Sequence, residues 1–503
     1  MTNSQRIIVN TAAQYIRTLI NTFLALFSTH FVLAALGQTD FGVYFLVAGV
    51  ITMFAFLTNA SVITTQRYIS FYNGQGQQDK IHSIFSNSLL LHIVIGAGLV
   101  AIILALCYPV IYYGLNIPEN RLEAASMVYV ITSLMFFVSI ILAPIRALFI
   151  AKENIVYISC IDVLDGLLKL LFAWLLLFAS SDRLILYAAL MLSIQIINLL
   201  ALTIFASKKF PEFHFPHFKE WDNSTVRELS TFAGWTLYSS GCIVARNQGI
   251  AVVLNLFFGA IINAAYGIAT QVSGSVAFVS SSIINAINPQ LVKAEGAKNR
   301  SLMMRMAEYE SKYAFLLLSM VSVPLIFEME TILRWWLGEV PEHAVAFCQI
   351  TLIAALCDQL SIGLTSAIQA IGNLKTYTLV FYTTKLLTLV AIWACIKLHL
   401  SASEALVSYA VVEFVGSLLR LPLLKSIAGL NIATFCKNVF GRIFVPFLVI
   451  CGTCYATQHF LTSGYRFFVA LVGSVLLGGI AAWLTCLDKN EQQFIYSYIY
   501  RHD

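Results

Sequence analysis

The feature that most constrains this chain is its recurrence of long apolar runs. Fourteen segments, each near the ~20 residues a helix needs to cross a bilayer, follow one another: 7–36, 41–69, 83–113, 124–150, 155–179, 184–206, 229–257, 260–288, 308–329, 344–370, 376–397, 404–424, 439–460 and 465–487. Backbone polar groups in hydrocarbon must bond within their own segment, so such runs fold as helices. The 503 residues are 59% hydrophobic and 11% charged, with a mean hydropathy of +0.82; a soluble domain carries about 25% charge. The expected fold class is an all-α integral membrane protein with about 14 transmembrane helices. The first run is too long for the apolar core of a cleaved signal and is expected to stay as a span.

Sidedness follows from Lys and Arg. An even span number puts both termini on one side, and 21 of the 30 Lys and Arg fall in the loops and tails of that side. Only Arg121, Arg183, Arg334, Lys397 and Arg466 fall opposite. The positive-inside rule then predicts cytosolic termini. The basic runs 208–219 and 293–312 become cytosolic interface segments, with Phe210, Phe213, Phe215, Phe218 and Trp221 suited to the headgroup boundary. The +5 net charge is therefore a topology signal, and no nucleic-acid partner is expected. The ten cysteines mostly sit inside apolar runs. Cys451 and Cys454 have CxxC spacing but no second pair, so packing is expected rather than metal or redox chemistry.

The chain repeats itself. At an offset of 222, Gly37 meets Gly259, Tyr44 meets Tyr266 and Gly74 meets Gly296; at 220, Tyr157 meets Tyr377. The simplest parse is an N-terminal lobe over 1–206, a cytosolic linker over 207–228, a C-terminal lobe over 229–427, and two further spans with a tail over 428–503. Two pseudo-symmetric six-helix lobes of this kind are an arrangement that transporters use for alternating access.

Polar groups inside the spans point to a site. The stretch 246–290 reads as two apolar helices meeting at a turn near Gly259, yet it carries Arg246, Asn247, Gln248, Asn263 and Gln271. An unpaired polar group in hydrocarbon costs several kcal/mol, so this pair is expected to face a polar interior. Setting loops aside leaves four cations, Arg17, Lys169, Arg246 and Lys385, and four acids, Asp162, Asp165, Asp358 and Glu413. Asp162, Asp165 and Lys169 share one helical face, and Asp165 and Lys169 can pair locally. Lys385 stands at the repeat position of Asp165, so a pair between lobes is also open. The acids read as structural ion pairs or as coupling groups for H+ or Na+. Arg17 and Arg246 have no acid within one turn on their own helices, and a planar guanidinium suits phosphate oxygens. Asn21, Asn247, Gln248, Asn263 and Gln271 can both donate to and accept from a polar ligand. There is no phosphate-binding GxxxxGK[ST] loop, no HExxH, no GxSxG and no cluster of metal ligands; no metal and no cofactor are expected.

The segments RIIVNTAAQYIRTLINTFLALFSTHFVLAALGQTDFGVYFLVAGV, VVLNLFFGAIINAAYGIATQV and ILRWWLGEVPEHAVAF resemble the O-antigen and capsular polysaccharide flippase family. That family is the polysaccharide-transporter branch of the multidrug/oligosaccharidyl-lipid/polysaccharide (MOP) exporter superfamily, with a MATE-like fold. The resemblance runs from about residue 6 to 425. It implies a bacterial inner-membrane protein that moves undecaprenyl-diphosphate-linked oligosaccharide from the cytosolic to the periplasmic leaflet. Spans 1, 2, 7 and 8 would line its cationic cavity, with Arg17, Arg246, Lys169 and Lys385 as candidate cations. Spans 13 and 14 would offer a groove for the lipid tail, and a glycan polymerase and a chain-length regulator would be the partners. The rival readings are a multidrug or cation antiporter of the same superfamily, which would favour acidic groups in the cavity, and a membrane-embedded polysaccharide polymerase or ligase. Outer loops of only 10–14 residues are short for the latter.

Overall fold

The computed structural model describes residues 3–488 and 492, apart from 53, 116, 215, 338, 339 and 462–464. Every regular element among them is helical. Among the described residues eleven helices are long and apolar enough to cross a membrane, or twelve if the bent pair 344–371 is one span. Fourteen spans are therefore not reached by length and composition alone. Two expected spans fall short for different reasons. The second, 41–69, is divided between the end of α1 (Asn3–Thr52) and α2 (Ala55–Gly74). The fifth, α5 (Ile155–Leu176), has 22 residues but carries Asp162, Asp165 and Lys169. At 1.5 Å per residue it is still long enough for a hydrocarbon core of about 30 Å.

The chain divides into two compact units. One comprises Ile8–Leu237 with Gly296–Lys298; the other comprises Tyr238–Glu295 and Asn299–Asp503 with Met1–Ile7. The boundary falls inside α7 (Asn223–Phe258), so the linker and the first turns of α7 belong to the N-terminal unit. In that unit α4 (Leu122–Ala151) is central, packing on α2, α3 (Gln78–Ala105) and α6 (Arg183–Lys209). Val47, Ala125, Val128, Leu176 and Leu184 are fully buried in its core. The linker is also packed into the protein. Phe213 stacks at a tilt on Phe85, and Phe210 meets Phe149 edge to face. The expected headgroup placement of Phe210 and Phe213 is thus corrected; Phe218 is exposed, and Phe215 lies outside the described residues.

In the C-terminal unit, α9 (Arg300–Phe327) packs on α10 (Met329–Leu337), α11 (Ala344–Gln359), α12 (Ile362–Ile371), α15 (Gly441–Phe460) and α16 (Arg466–Ala481), while α14 (Ala402–Ala428) packs on α11 and α13 (Thr383–Lys397). α9 and α12 approach closely: a Cβ on Gly363 would stand 2.0 Å from the Ala307 carbonyl oxygen. α15 and α16 belong to this unit, joined by Cys454 Sγ and Ser474 Oγ at 3.3 Å; all ten cysteines are free thiols.

The glycine repeat has a conformational basis. Gly37 (φ 72°) breaks α1, and Gly259 (φ 85°) separates α7 from α8 (Ala260–Gly296). Positive φ is nearly free for glycine and costs other residues roughly 1–2 kcal/mol.

Candidate functional site

Each unit contains a cluster of charges held by several helices. In the N-terminal unit Asp162 of α5 is the hub. Arg17 of α1 donates to its Oδ2 at 2.8 Å, Arg146 of α4 donates to its Oδ1, and Asn21 donates to its backbone carbonyl at 3.1 Å. α1 fits closely against α5 because residue 166 is glycine; a Cβ there would stand 2.8 Å from the Asn21 amide oxygen. One turn further along α5, Lys169 pairs with Asp165 at 2.6 Å, and Asn198 donates to Asp165 at 2.7 Å. The Arg17–Asp162–Arg146 group is two cations on one carboxylate, leaving one positive charge in excess. Arg146 also lines an open pocket of about 290 Å³ of mixed character, with Thr58, Asn59, Ser139 and Gln195 on its polar side and Val62, Leu142 and Ala143 on its apolar side.

In the C-terminal unit five charges form a chain. Arg246 donates to Glu413 Oε1; Lys385 bridges Glu413 at 2.7 Å and Asp358 at 3.2 Å; Arg420 donates to Asp358 at 2.7 Å. The break between α11 and α12, bent by 47°, contributes directly. It leaves carbonyls at the end of α11 without intrahelical partners, and Arg420 donates to the Asp358 carbonyl at 2.6 Å. Aromatic faces complete the shell, with Tyr409 4.8 Å from Arg246 and Phe381 4.4 Å from Arg420. Arg246, Lys385, Glu413 and Arg420 are all buried. Three cations face two carboxylates, again an excess of one.

These networks correct three expectations. Arg17 and Arg246 do have carboxylate partners, Asp162 and Glu413, supplied by helices 145 and 167 residues away in sequence. Lys385 finds both its carboxylates inside its own unit. The balance of four cations to four acids omitted Arg146 and Arg420; with them, Arg17, Arg146, Lys169, Arg246, Lys385 and Arg420 face Asp162, Asp165, Asp358 and Glu413, six to four. Further charges also lie within helices. Glu310 of α9 is fully buried, accepting from Ser366 at 2.5 Å, and Lys312 is buried rather than at the interface, donating to the Cys486 carbonyl at 3.4 Å.

Among the predicted polar ligand-binding residues, Asn21 and Asn247 touch the clusters, Asn247 by accepting from Arg246 at 3.1 Å. Gln248 and Gln271 are exposed and are not among the cluster's groups; the side chain of Asn263 lies outside the described ones. Arg146, Arg420, Asn59 and Gln195 are the residues sequence reasoning missed. The prolines nearby, Pro144 and Pro422, were a usable signal: each arginine stands two residues from a proline inside a helix.

Comparison with known proteins places the fold. A crystal structure of a MATE point mutant superposes with a TM-score of 0.74 at 12% identity, covering 87% of this chain and 98% of that one. A MOP superfamily transporter from Pyrococcus furiosus, described as having a binding pocket of reversed polarity that suggests a different function, gives 0.74 at 11% identity over 87% of this chain and 97% of that one. An outward-facing multidrug resistance MATE family transporter gives 0.71 at 12% identity over 87% and 97%. The fold is the one that these MATE and MOP superfamily structures share, and among the described residues eleven or twelve helices are long and apolar enough to cross a membrane. In sequence it is 25% identical over 250 residues to the uncharacterized membrane protein EpsK of Bacillus subtilis, a match spanning 49% of this chain and 47% of that protein. No family model matches the chain.

Proposed function

We propose that this chain is a flippase for undecaprenyl-diphosphate-linked oligosaccharide, carrying O-antigen or a related surface-glycan unit across the bacterial inner membrane by alternating access. The observation that carries this reading is the excess of one positive charge in each unit's cluster. A charge inside the bilayer costs at least about 2.5–3.5 kcal/mol even on the mildest scale. Two charge-balanced clusters would lock the helices equally well, so the surplus cations call for an anion. A diphosphate head supplies it, and guanidinium forks match its oxygens. The cavity beside Arg146, lined by Asn59, Gln195 and hydroxyls, suits sugar hydroxyls. The polyprenyl tail stays in lipid while the head moves. An inside-negative potential favours outward movement of an anion by about 2.3 kcal/mol per charge per 100 mV.

The multidrug antiporter reading draws on the same fold, and a MATE family drug transporter shares it. Against it stands the sign of the clusters, since a cationic drug would be repelled. That fold also houses a protein described as having a pocket of reversed polarity. Export of surface glycan by a strain lacking the gene, complemented with the wild-type chain, separates the two. Restored glycan with unchanged drug resistance supports the flippase; restored resistance with no effect on glycan rejects it.

A further inference from the structure

The sequence contains no metal-ligand motif, yet the fold assembles three ligands. His82, near the start of α3, and His214 and Glu220, on the linker, bring one ligand atom each to within 4.8 Å of one another. All three are partly buried. The imidazoles stack in parallel, centroids 3.8 Å apart and planes within 2°. His214 Nε2 already meets Glu220 Oε2 at 2.9 Å and Ser86 Oγ at 3.2 Å. Its Nδ1 is buried without a hydrogen-bond partner.

An orphaned ring nitrogen in a polar setting is costly. Two stacked imidazoles gain little from each other and repel if both are protonated. We propose that His82, His214 and Glu220 form a binding site for a divalent transition-metal ion of the zinc class. Two imidazoles and a carboxylate are a common zinc donor set, with water completing a tetrahedron. Bonds of about 2.0–2.1 Å put tetrahedral ligand atoms about 3.3 Å apart, so atoms that stand at most 4.8 Å apart need to draw in by no more than roughly 1.5 Å, with both rings tilting out of their stack toward the ion. The linker can make that movement, because His214 and Glu220 are on non-helical or single-turn backbone.

The neighbouring contacts say what the ion does. Lys152 of the turn after α4 pairs with Glu212, Asn87 of α3 donates to the Glu220 carbonyl at 3.1 Å, and the Asp222 amide donates to Asn87 at 2.7 Å. The linker is thus clasped to the helix ends on either side of the histidines. The metal is the central fastener of that clasp, fixing the segment that leads into α7.

The test uses the full chain purified in detergent without a histidine tag. Zinc chloride is titrated calorimetrically, with cobalt chloride as a visible probe of coordination and magnesium chloride as a control. The expected result is one zinc per chain, a tetrahedral cobalt spectrum, no magnesium binding, and a thermal midpoint raised by zinc. His82→Ala and His214→Ala remove the site, Glu220→Gln weakens it at least about tenfold, and His459→Ala leaves it unchanged. His82→Asn and His214→Gln, which keep polarity and bulk, stand in should the alanine variants fail to fold. Zinc binding that survives both histidine substitutions, or no saturable binding by the wild-type chain, overturns the proposal and leaves the pair as aromatic packing.

Discussion

At the residue scale the account turns on which charges a cluster can lose. Arg146→Ala leaves Arg17 on Asp162, a neutral pair, so the unfolding midpoint is expected to shift little while transport falls. Asp162→Asn does the opposite: it leaves Arg17 and Arg146 facing each other without their carboxylate, and the unfolding midpoint drops. Arg246→Ala likewise leaves Lys385 and Arg420 on Glu413 and Asp358, two cations to two acids, so its midpoint is expected to fall less than that of Glu413→Gln, which strands Arg246 beside no carboxylate and costs about 3–5 kcal/mol. A different pair contributes to acid sensitivity. Asp182, in the turn before α6, is held below the usual carboxylate range, first by hydrogen bonds from Arg121 and then by the Leu184 and Ile185 amides, against partial burial that pushes it up. Its ionised form is favoured by the fold, so this contribution is complete above about pH 4 and is lost as pH falls below that. Arg121→Ala, followed by thermal unfolding between pH 7 and pH 3, is expected to remove part of the acid sensitivity; an unchanged pH profile contradicts it.

At the element scale, periodicity and turn chemistry made most helices legible. Gly259 was readable as a turn because an unpaired glycine between two apolar runs has few other uses. The backbone there has φ 85°, and Gly259→Ala is expected to cost roughly 1–2 kcal/mol. Gly363 gave no such signal. Its role is the contact of α12 with the Ala307 carbonyl, and Gly363→Ala is expected to destabilise more than Gly259→Ala, since two backbones must separate. Thermal unfolding of both variants ranks them. The break after Gln359 was less legible: Asp358, Gln359 and Ser361 interrupt an apolar run there, but the groups that satisfy the freed backbone, Arg420 on the Asp358 carbonyl and Ser311 on the Gly363 amide, come from other helices. Sequence shows which residues lie on one helix. It does not show which face of a distant helix they meet, and for that reason Arg17 and Arg246 looked partnerless.

At the scale of the whole molecule, the class of fold was written in hydropathy, and the superposition on MOP superfamily transporters agrees with it. The charge balance was not, because Arg146 and Arg420, in the last third of their helices, group in sequence with the basic residues Lys152 and Lys425 that follow them. The surplus of positive charge emerges only when helices assemble, and the transport reading depends on it. The most direct test reconstitutes the chain in vesicles with an undecaprenyl-diphosphate-linked oligosaccharide and follows appearance of the head group in the opposite leaflet. The account predicts translocation by the wild-type chain and at least a tenfold slower rate for Arg146→Ala, a loss of about 1.4 kcal/mol, with the unfolding midpoint retained. Equal rates for the two proteins would contradict it.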